Sequence, residues 1–263
     1  MNKYNFQTYI DFGASKIRIG IFDYELPKNN LYNQIECISN FDKEKLNIDT
    51  SKNLINKLIQ SSEKELNLHI KNITLMIDAP DVQSFDFSIK KNLDSKSSFF
   101  EDIKFLLQDA RQLAQKNNEK KIIIHTIIEK IIIDEKVYNE IPNNNINYKS
   151  IALELKFIYI SELFYNTIIK HFKLIHIEVD SILCSSYVKS LNYNQYFKEY
   201  NKKTFLDIGY KKSCVTVFDK DKLILFRKIP LGGNHITQDI SKVLDIEFDE
   251  AEQIKQSLNK MEA

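Results

Sequence analysis

The 263-residue sequence predicts an α/β fold made of two related halves, with a smaller α+β unit inserted between them. Three observations carry that reading. A strand–Asp-x-Gly–strand segment occurs twice, nearly two hundred residues apart. Ile-rich β segments alternate with amphipathic helical stripes in the flanking regions. Between about 81 and 160 the pattern changes to strands grouped around one capped helix.

The elements follow in chain order. Tyr9-Ile10-Asp11-Phe12-Gly13-Ala14-Ser15-Lys16, continuing to Phe22, reads as strand, turn, strand. A third strand is expected over Gln34–Phe41. Ser51–Leu66 places Leu54, Ile55, Leu58, Ile59 and Leu66 on one helical stripe. Ile73–Ile77 is a buried strand, stopped by Asp78-Ala79-Pro80. Phe85–Ile89 alternates as a half-buried strand does. Ser98 and Glu101 form a capping box, opening a helix with the stripe Ile103, Leu106, Leu107, Ala110 and Leu113. Two Ile-rich strands are expected over 122–128 and 130–138, then an Asn-rich loop over 142–147 and a strand over Ile151–Ile160. From Ser161 a helix carrying Leu163, Phe164, Ile168 and Ile169 leads to a strand over Leu174–Val179 and a helix over Ile182–Leu191. Asn192–Lys203 reads as a linker. Thr204-Phe205-Leu206-Asp207-Ile208-Gly209-Tyr210-Lys211-Lys212, continuing to Phe218, is the second hairpin; its strand pair turns back at Asp219–Asp221. Arg227–Ile240 enters a helix, and Asp249–Lys255 starts the last one.

Composition narrows the function classes. Lys+Arg number 37 and Asp+Glu 36, a net charge of +1, which gives no argument for an electrostatically driven nucleic-acid binder beyond a local patch. The most apolar stretch, Ile122–Ile133, is broken by His125, Glu129 and Lys130 and is too short to cross a bilayer. No signal peptide is read, so a soluble protein is expected. Cys37, Cys184 and Cys214 are too dispersed for a disulfide framework and read as buried, reduced thiols of a cytosolic protein. His176, Glu178 and Asp180 fall on one strand face, which reads as solvated rather than metal-binding. His171 reads as a helix C-terminal residue.

A glycine turn between strands lets backbone N–H groups approach a phosphate with no Cβ in the way. On that ground Gly13, Ala14, Ser15 and Lys16 form one candidate phosphate site, and Gly209 and Tyr210 a second. Gly232 and Gly233 precede a helix, whose N-terminus suits an anion. Asp11 and Asp207, each at a strand end, are candidates to hold Mg²⁺ through water. Either turn alone is an ordinary hairpin; the repetition gives them weight.

The order and spacing resemble the actin-like ATPase superfamily, of ribonuclease H-like fold, in which two phosphate loops grip nucleotide between two lobes. Ile229-Pro-Leu-Gly-Gly-Asn-His-Ile-Thr-Gln-Asp-Ile240 and Glu250-Ala-Glu-Gln-Ile-Lys255 are more narrowly similar to segments of the bacterial cell division protein FtsA family. The pilus-assembly protein PilM is similar in the same features and is the alternative.

The resemblance implies subdomain IA over 1–80 and 161–200, an inserted subdomain IC over 81–160, and the start of subdomain IIA over 201–263. It implies ATP and Mg²⁺ as cofactors, FtsZ and self-association as partners, no nucleic acid, and a peripheral place at the cytoplasmic face of the inner membrane at the division site. Two departures temper it. Tyr210-Lys211-Lys212 stands where the family commonly has Gly-Gly-Thr, so at most weak ATPase activity is expected. The family also continues through subdomain IIB, an adenosine-contacting loop and a membrane-binding helix, so a truncated gene product or a reduced homologue is expected, without its own anchor. A sugar or acetate kinase, or a chaperone ATPase, on the same fold is an alternative of another class, and a degenerate interaction module that binds no nucleotide is a third.

Overall fold

The computed structural model describes residues 5–25, 30–38, 48–78, 82–92, 98–138 and 148–258. The first sheet is built from β1 (Phe6–Phe12), β2 (Lys16–Asp23), β3 (Asn30–Cys37), β4 (Asn72–Ile77) and β9 (Glu178–Cys184), in the order β3-β2-β1-β4-β9. The first three strands are antiparallel, while β4 runs parallel to β1 and β9 parallel to β4. Strict alternation sends Ile10, Phe12, Ile17, Ile19, Ile21, Ile73, Leu75 and Ile77 into the core, as the two-residue period of a strand requires. Helices α1 (Ile48–Leu66) and α3 (Glu162–Leu174) pack on that core through Ile55, Leu58, Ile168 and Phe172. β3 begins before its expected position, because Asn30–Tyr32 extend the ladder with Phe22 and Ile21. The end of the expected range, 39–41, lies outside the described residues.

The central segment forms its own sheet from β5 (Gln83–Asn92), β6 (Lys121–Ile133), β7 (Lys136–Tyr138) and β8 (Ser150–Ser161), ordered β5-β8-β6-β7. Helix α2 (Phe99–Lys116) packs on it, opened by the capping box of Ser98 and Glu101. Phe99, Ile103, Leu106, Ala110 and Ala114 face Leu153, Leu155 and Phe157; Leu113, expected on this stripe, is exposed and Ala114 takes its place. The two strands expected over 122–138 are instead one 13-residue strand and a short one. β6 stays paired with β8 across register shifts at Ile123/His125 and Ile128/Lys130. The ion pair of Lys130 with Glu154 (2.7 Å) keeps its polar residues in the ladder. The chain then reverses at Asp134 and Glu135, both at positive φ. The loop expected over 142–147 lies outside the described residues. Ile158 and Ile160 of β8 pack in the main core rather than with Phe157, so the cores do not divide at residue 160.

Helix α3 runs to Leu174, and the chain turns at His176 in the left-handed conformation (φ 59°). The strand and helix expected over 174–179 and 182–191 are therefore shifted to β9 and α4 (Ser185–Tyr196). His176 lies off the strand, so it shares no strand face with Glu178 and Asp180. The expected linker shrinks to 197–201, since α4 covers its start and β10 (Lys202–Ile208) its end.

The third sheet, β10-β11-β12, is antiparallel, with β11 Ser213–Asp219 and β12 Lys222–Ile229; α5 (Gly233–Leu244) and α6 (Phe248–Leu258) follow. Cys214, Phe218, Leu223 and Phe226 join the main core. The outer side stays open, leaving Leu206, Ile208, Ile229, Ile236 and Val243 exposed. Cys184 and Cys214 are buried as expected, whereas Cys37, on edge strand β3, is exposed. No helix among the described residues is long and apolar enough to cross a membrane.

Candidate functional site

The two Asp-x-Gly turns have the same backbone construction. Gly13 N–H donates to Lys16 C=O at 3.1 Å, and Gly209 N–H to Lys212 C=O at 2.9 Å. A Cβ at either glycine would lie within 2.9 Å of that same carbonyl oxygen, closer than side chains tolerate, so both turns require Gly. They face each other across one cleft of about 290 Å³. Gly13, Ala14, Ser15 and Lys16 line one wall, Gly209 and Tyr210 the other, and Asp11 and Asp207 both open into it. Gly232 and Gly233 lie outside this cleft, behind the second turn.

The carboxylates in the cleft already have partners within the protein. Asp11 accepts from Arg18 Nη1 at 3.0 Å on one oxygen and from Ser185 Oγ at 2.8 Å on the other. Arg18 is the cross-strand partner of Asp11, so the hairpin itself creates that pair. Asp207 lies 3.5 Å from Lys189 Nζ of α4.

A third strand-end aspartate, Asp78 after β4, was missed in the sequence. It is the most heavily bonded of the three. Its carboxylate meets Lys228 Nζ at 2.5 Å, Lys212 Nζ at 3.1 Å and Ser186 Oγ at 2.6 Å. Burial alone would raise the Asp78 carboxyl, but Lys228 and Lys212 outweigh it and hold the group below its usual range. Burial pulls the Lys212 ammonium down to about 8, with Asp78 opposing and Lys228 adding to the shift. Ser185 and Ser186 open α4, so Asp11 and Asp78 both sit at a helix N-terminus, where the dipole favours negative charge.

The helix start at Gly232-Gly233 serves the second turn rather than an anion. Gly233 N–H donates to Gly209 C=O at 2.9 Å, Asn234 N–H to Tyr210 C=O at 2.8 Å, and Gly232 N–H to His235 Nδ1 at 3.1 Å. These N–H groups are already used, which corrects the anion reading of Gly232 and Gly233. Behind them, Lys255 Nζ of α6 donates to Gly233 C=O (3.1 Å) and Thr237 Oγ1 (2.7 Å) and pairs with Glu252 (2.6 Å). The conspicuous Glu-Ala-Glu-x-Ile-Lys segment thus fastens α6 to the start of α5.

Phosphate fits the cleft better than a metal does. Lys16, Arg18, Lys189, Lys211 and Lys212 line it against Asp11, Asp78 and Asp207, giving a positive excess. Asp11 is engaged on both oxygens by Arg18 and Ser185, and Asp207 approaches Lys189, so direct Mg²⁺ coordination at Asp11 would compete with existing contacts. Among the described residues no group of three or more His, Cys, Asp or Glu is placed to hold a metal. Cys214 is an inert thiol, pushed up to about 12 by burial.

The chain has the actin-like ATPase fold. It is similar to the PilM–PilN type IV pilus biogenesis complex, at 10% identity and TM-score 0.65, over 99% of this chain and 71% of that one. Two further solved structures are similar at lower scores. One is the ethanolamine utilization protein EutJ from Carboxydothermus hydrogenoformans, at 11% identity and TM-score 0.48, over 96% of this chain and 61% of that one. The other is a Bacteroides thetaiotaomicron protein with an actin-like ATPase fold and unknown function, at 13% identity and TM-score 0.46, over 92% and 78%. The family model for cell division protein FtsA matches residues 204–262, less than half of the chain. No curated protein matches the sequence.

Proposed function

We propose that this protein is an actin-fold scaffold of the FtsA type, linking proteins of the bacterial division machinery at the cytoplasmic face of the inner membrane. In this reading 1–80 and 161–200 form subdomain IA, 81–160 the inserted subdomain IC, and 201–263 the start of subdomain IIA. FtsZ and further copies of the chain are its partners. ATP binds weakly between the turns Gly13–Lys16 and Gly209–Tyr210 and is not turned over; Mg²⁺, where it enters, does so through water near Asp11 and Asp207. The observation that carries the reading is the second turn. It lies within the segment that matches FtsA, and it presents Lys212 bound to a protein carboxylate in place of a small hydroxyl donor.

The PilM-like alternative, an adaptor of an envelope machine, is favoured by the likeness that spans 99% of the chain. Titration calorimetry with ATP and Mg²⁺, together with a phosphate-release assay, tests the nucleotide part. Weak binding without turnover is expected, and micromolar affinity with steady phosphate release refutes it. Binding of purified FtsZ and of a PilN-type protein from the same genome separates the two adaptor roles. Binding of the PilN-type protein alone transfers the assignment.

A further inference from the structure

We infer that Asp78 is a built-in anion at the edge of the cleft, occupying the cationic pair formed by Lys212 on the cleft wall and Lys228 behind it, which a phosphate-class ligand would otherwise take. The inference rests on reading the cleft as a phosphate site. Three observations support it. First, the contacts cross between lobes: Asp78 follows β4 of the first sheet, whereas Lys212 precedes β11 and Lys228 lies within β12 of the third. Second, both ammonium groups converge on one oxygen, Oδ1, at 3.1 and 2.5 Å, while the other oxygen takes the Ser186 hydroxyl at 2.6 Å. An oxyanion bound by two lysines and a hydroxyl would make the same set of charge-assisted bonds. Third, the lysine side chains are only 12% and 14% exposed, so water is a poor substitute for the carboxylate.

Asp78 then does two things. It holds the lobes together with no ligand present, and it competes with any phosphate for the same donors. Replacing it with Asn preserves shape and the contact with Ser186 but removes the charge, leaving two neighbouring ammonium groups to recruit an anion.

The test compares wild type with Asp78→Asn and Lys212→Gln, using inorganic phosphate as the probe at constant ionic strength. Binding is measured by calorimetry, and exchange of the backbone amides of 209–214 and 226–229 by hydrogen–deuterium exchange. Asp78→Asn is expected to bind phosphate about tenfold more tightly than wild type, since a competing charge is removed from its donors, and to exchange faster without phosphate. Lys212→Gln is expected to exchange faster too, but without the gain in phosphate affinity. It also keeps the question answerable if the Asn variant does not fold, because an exchange rate equal to wild type would overturn the lobe contact. Equal phosphate affinity in Asp78→Asn and wild type overturns the inference, as does the same gain in both variants. ATP titration of the wild type reports separately on the scaffold reading, so the two can fail independently.

Discussion

Acidification should loosen the junction between the central sheet and the first lobe through a single imidazole. His125 lies on β6, where Cys184 N–H donates to its Nε2 at 2.8 Å and Tyr187 packs edge-on at 5.0 Å between ring centroids. The ring nitrogen must be unprotonated to accept that bond. A proton placed there would set two donors against each other, and desolvation pulls the group from 6.5 down to about 4. The unfolded chain takes up this proton near pH 6.5, while the folded chain resists until about pH 4. Stability is therefore whole above that window and falls as pH drops through it. At 1.36 kcal/mol per pKa unit, discounted for a ring that is only partly buried, the loss from neutral pH to about 4.5 is roughly 2 kcal/mol. The control is His125→Gln, whose Oε1 can accept from Cys184 N–H and does not titrate. With no Trp and 13 Tyr in the chain, urea unfolding is best followed by far-UV circular dichroism. Wild type should lose roughly 2 kcal/mol more than His125→Gln over that pH range. Parallel losses in the two proteins would refute the assignment, because other groups would then carry the acid sensitivity.

The two glycines that open α5 should respond oppositely to alanine. A Cβ at Gly232 would lie 2.5 Å from Gly209 O and 2.6 Å from both Lys212 N and Tyr210 O, all backbone atoms; Gly232→Ala should cost about 3 kcal/mol in a melting or urea experiment. At Gly233 the nearest atom is Lys255 Nζ at 3.6 Å, so Gly233→Ala should be neutral or stabilise by about 0.5 kcal/mol; equal losses at both positions would contradict the packing described. Lys255→Met removes the donor shared by Gly233, Thr237 and Glu252 and should cost about 1–2 kcal/mol. Faster amide exchange in α6 than in α3 should accompany that loss, and uniform exchange across both helices would count against a local fastening role.

How far the sequence revealed the site depended on how local each signal was. The turns were readable because their defining bond closes over three residues, Gly13 to Lys16 and Gly209 to Lys212, and because an excluded Cβ selects Gly. The capping box at Ser98 and Glu101 was readable for the same reason. Asp78 was not, although it ends a strand as Asp11 does, because Lys228 lies 150 residues away in the chain. The register of β9 was misplaced because the turn before it uses His176 at positive φ, where no Gly or Asn signals a left-handed residue. In the run 122–133, Ile clusters in blocks rather than at alternate positions, which gives no alternation from which to choose between one strand and two. Only the partner strand β8 decides. The helix start at Gly232-Gly233 was readable as a helix start, but its N–H groups were assigned to an anion when the neighbouring turn uses them.

The two turns share a backbone and differ in how their charges are balanced, and that difference bears on how the lobes behave. At the first turn, the strand register places Arg18 opposite Asp11, and the ion pair forms within one hairpin. At the second, the residue opposite Asp207 is Cys214, which cannot neutralise a carboxylate. Asp207 instead approaches Lys189 of α4, and Lys212, which closes the turn, reaches across to Asp78. Lys228 does the same from β12. Separating the lobes would leave the first turn's ion pair intact, while Lys212, Lys228 and Asp78 would lose their shared compensation. Lobe opening would therefore have to break these charge-assisted contacts as well as apolar ones.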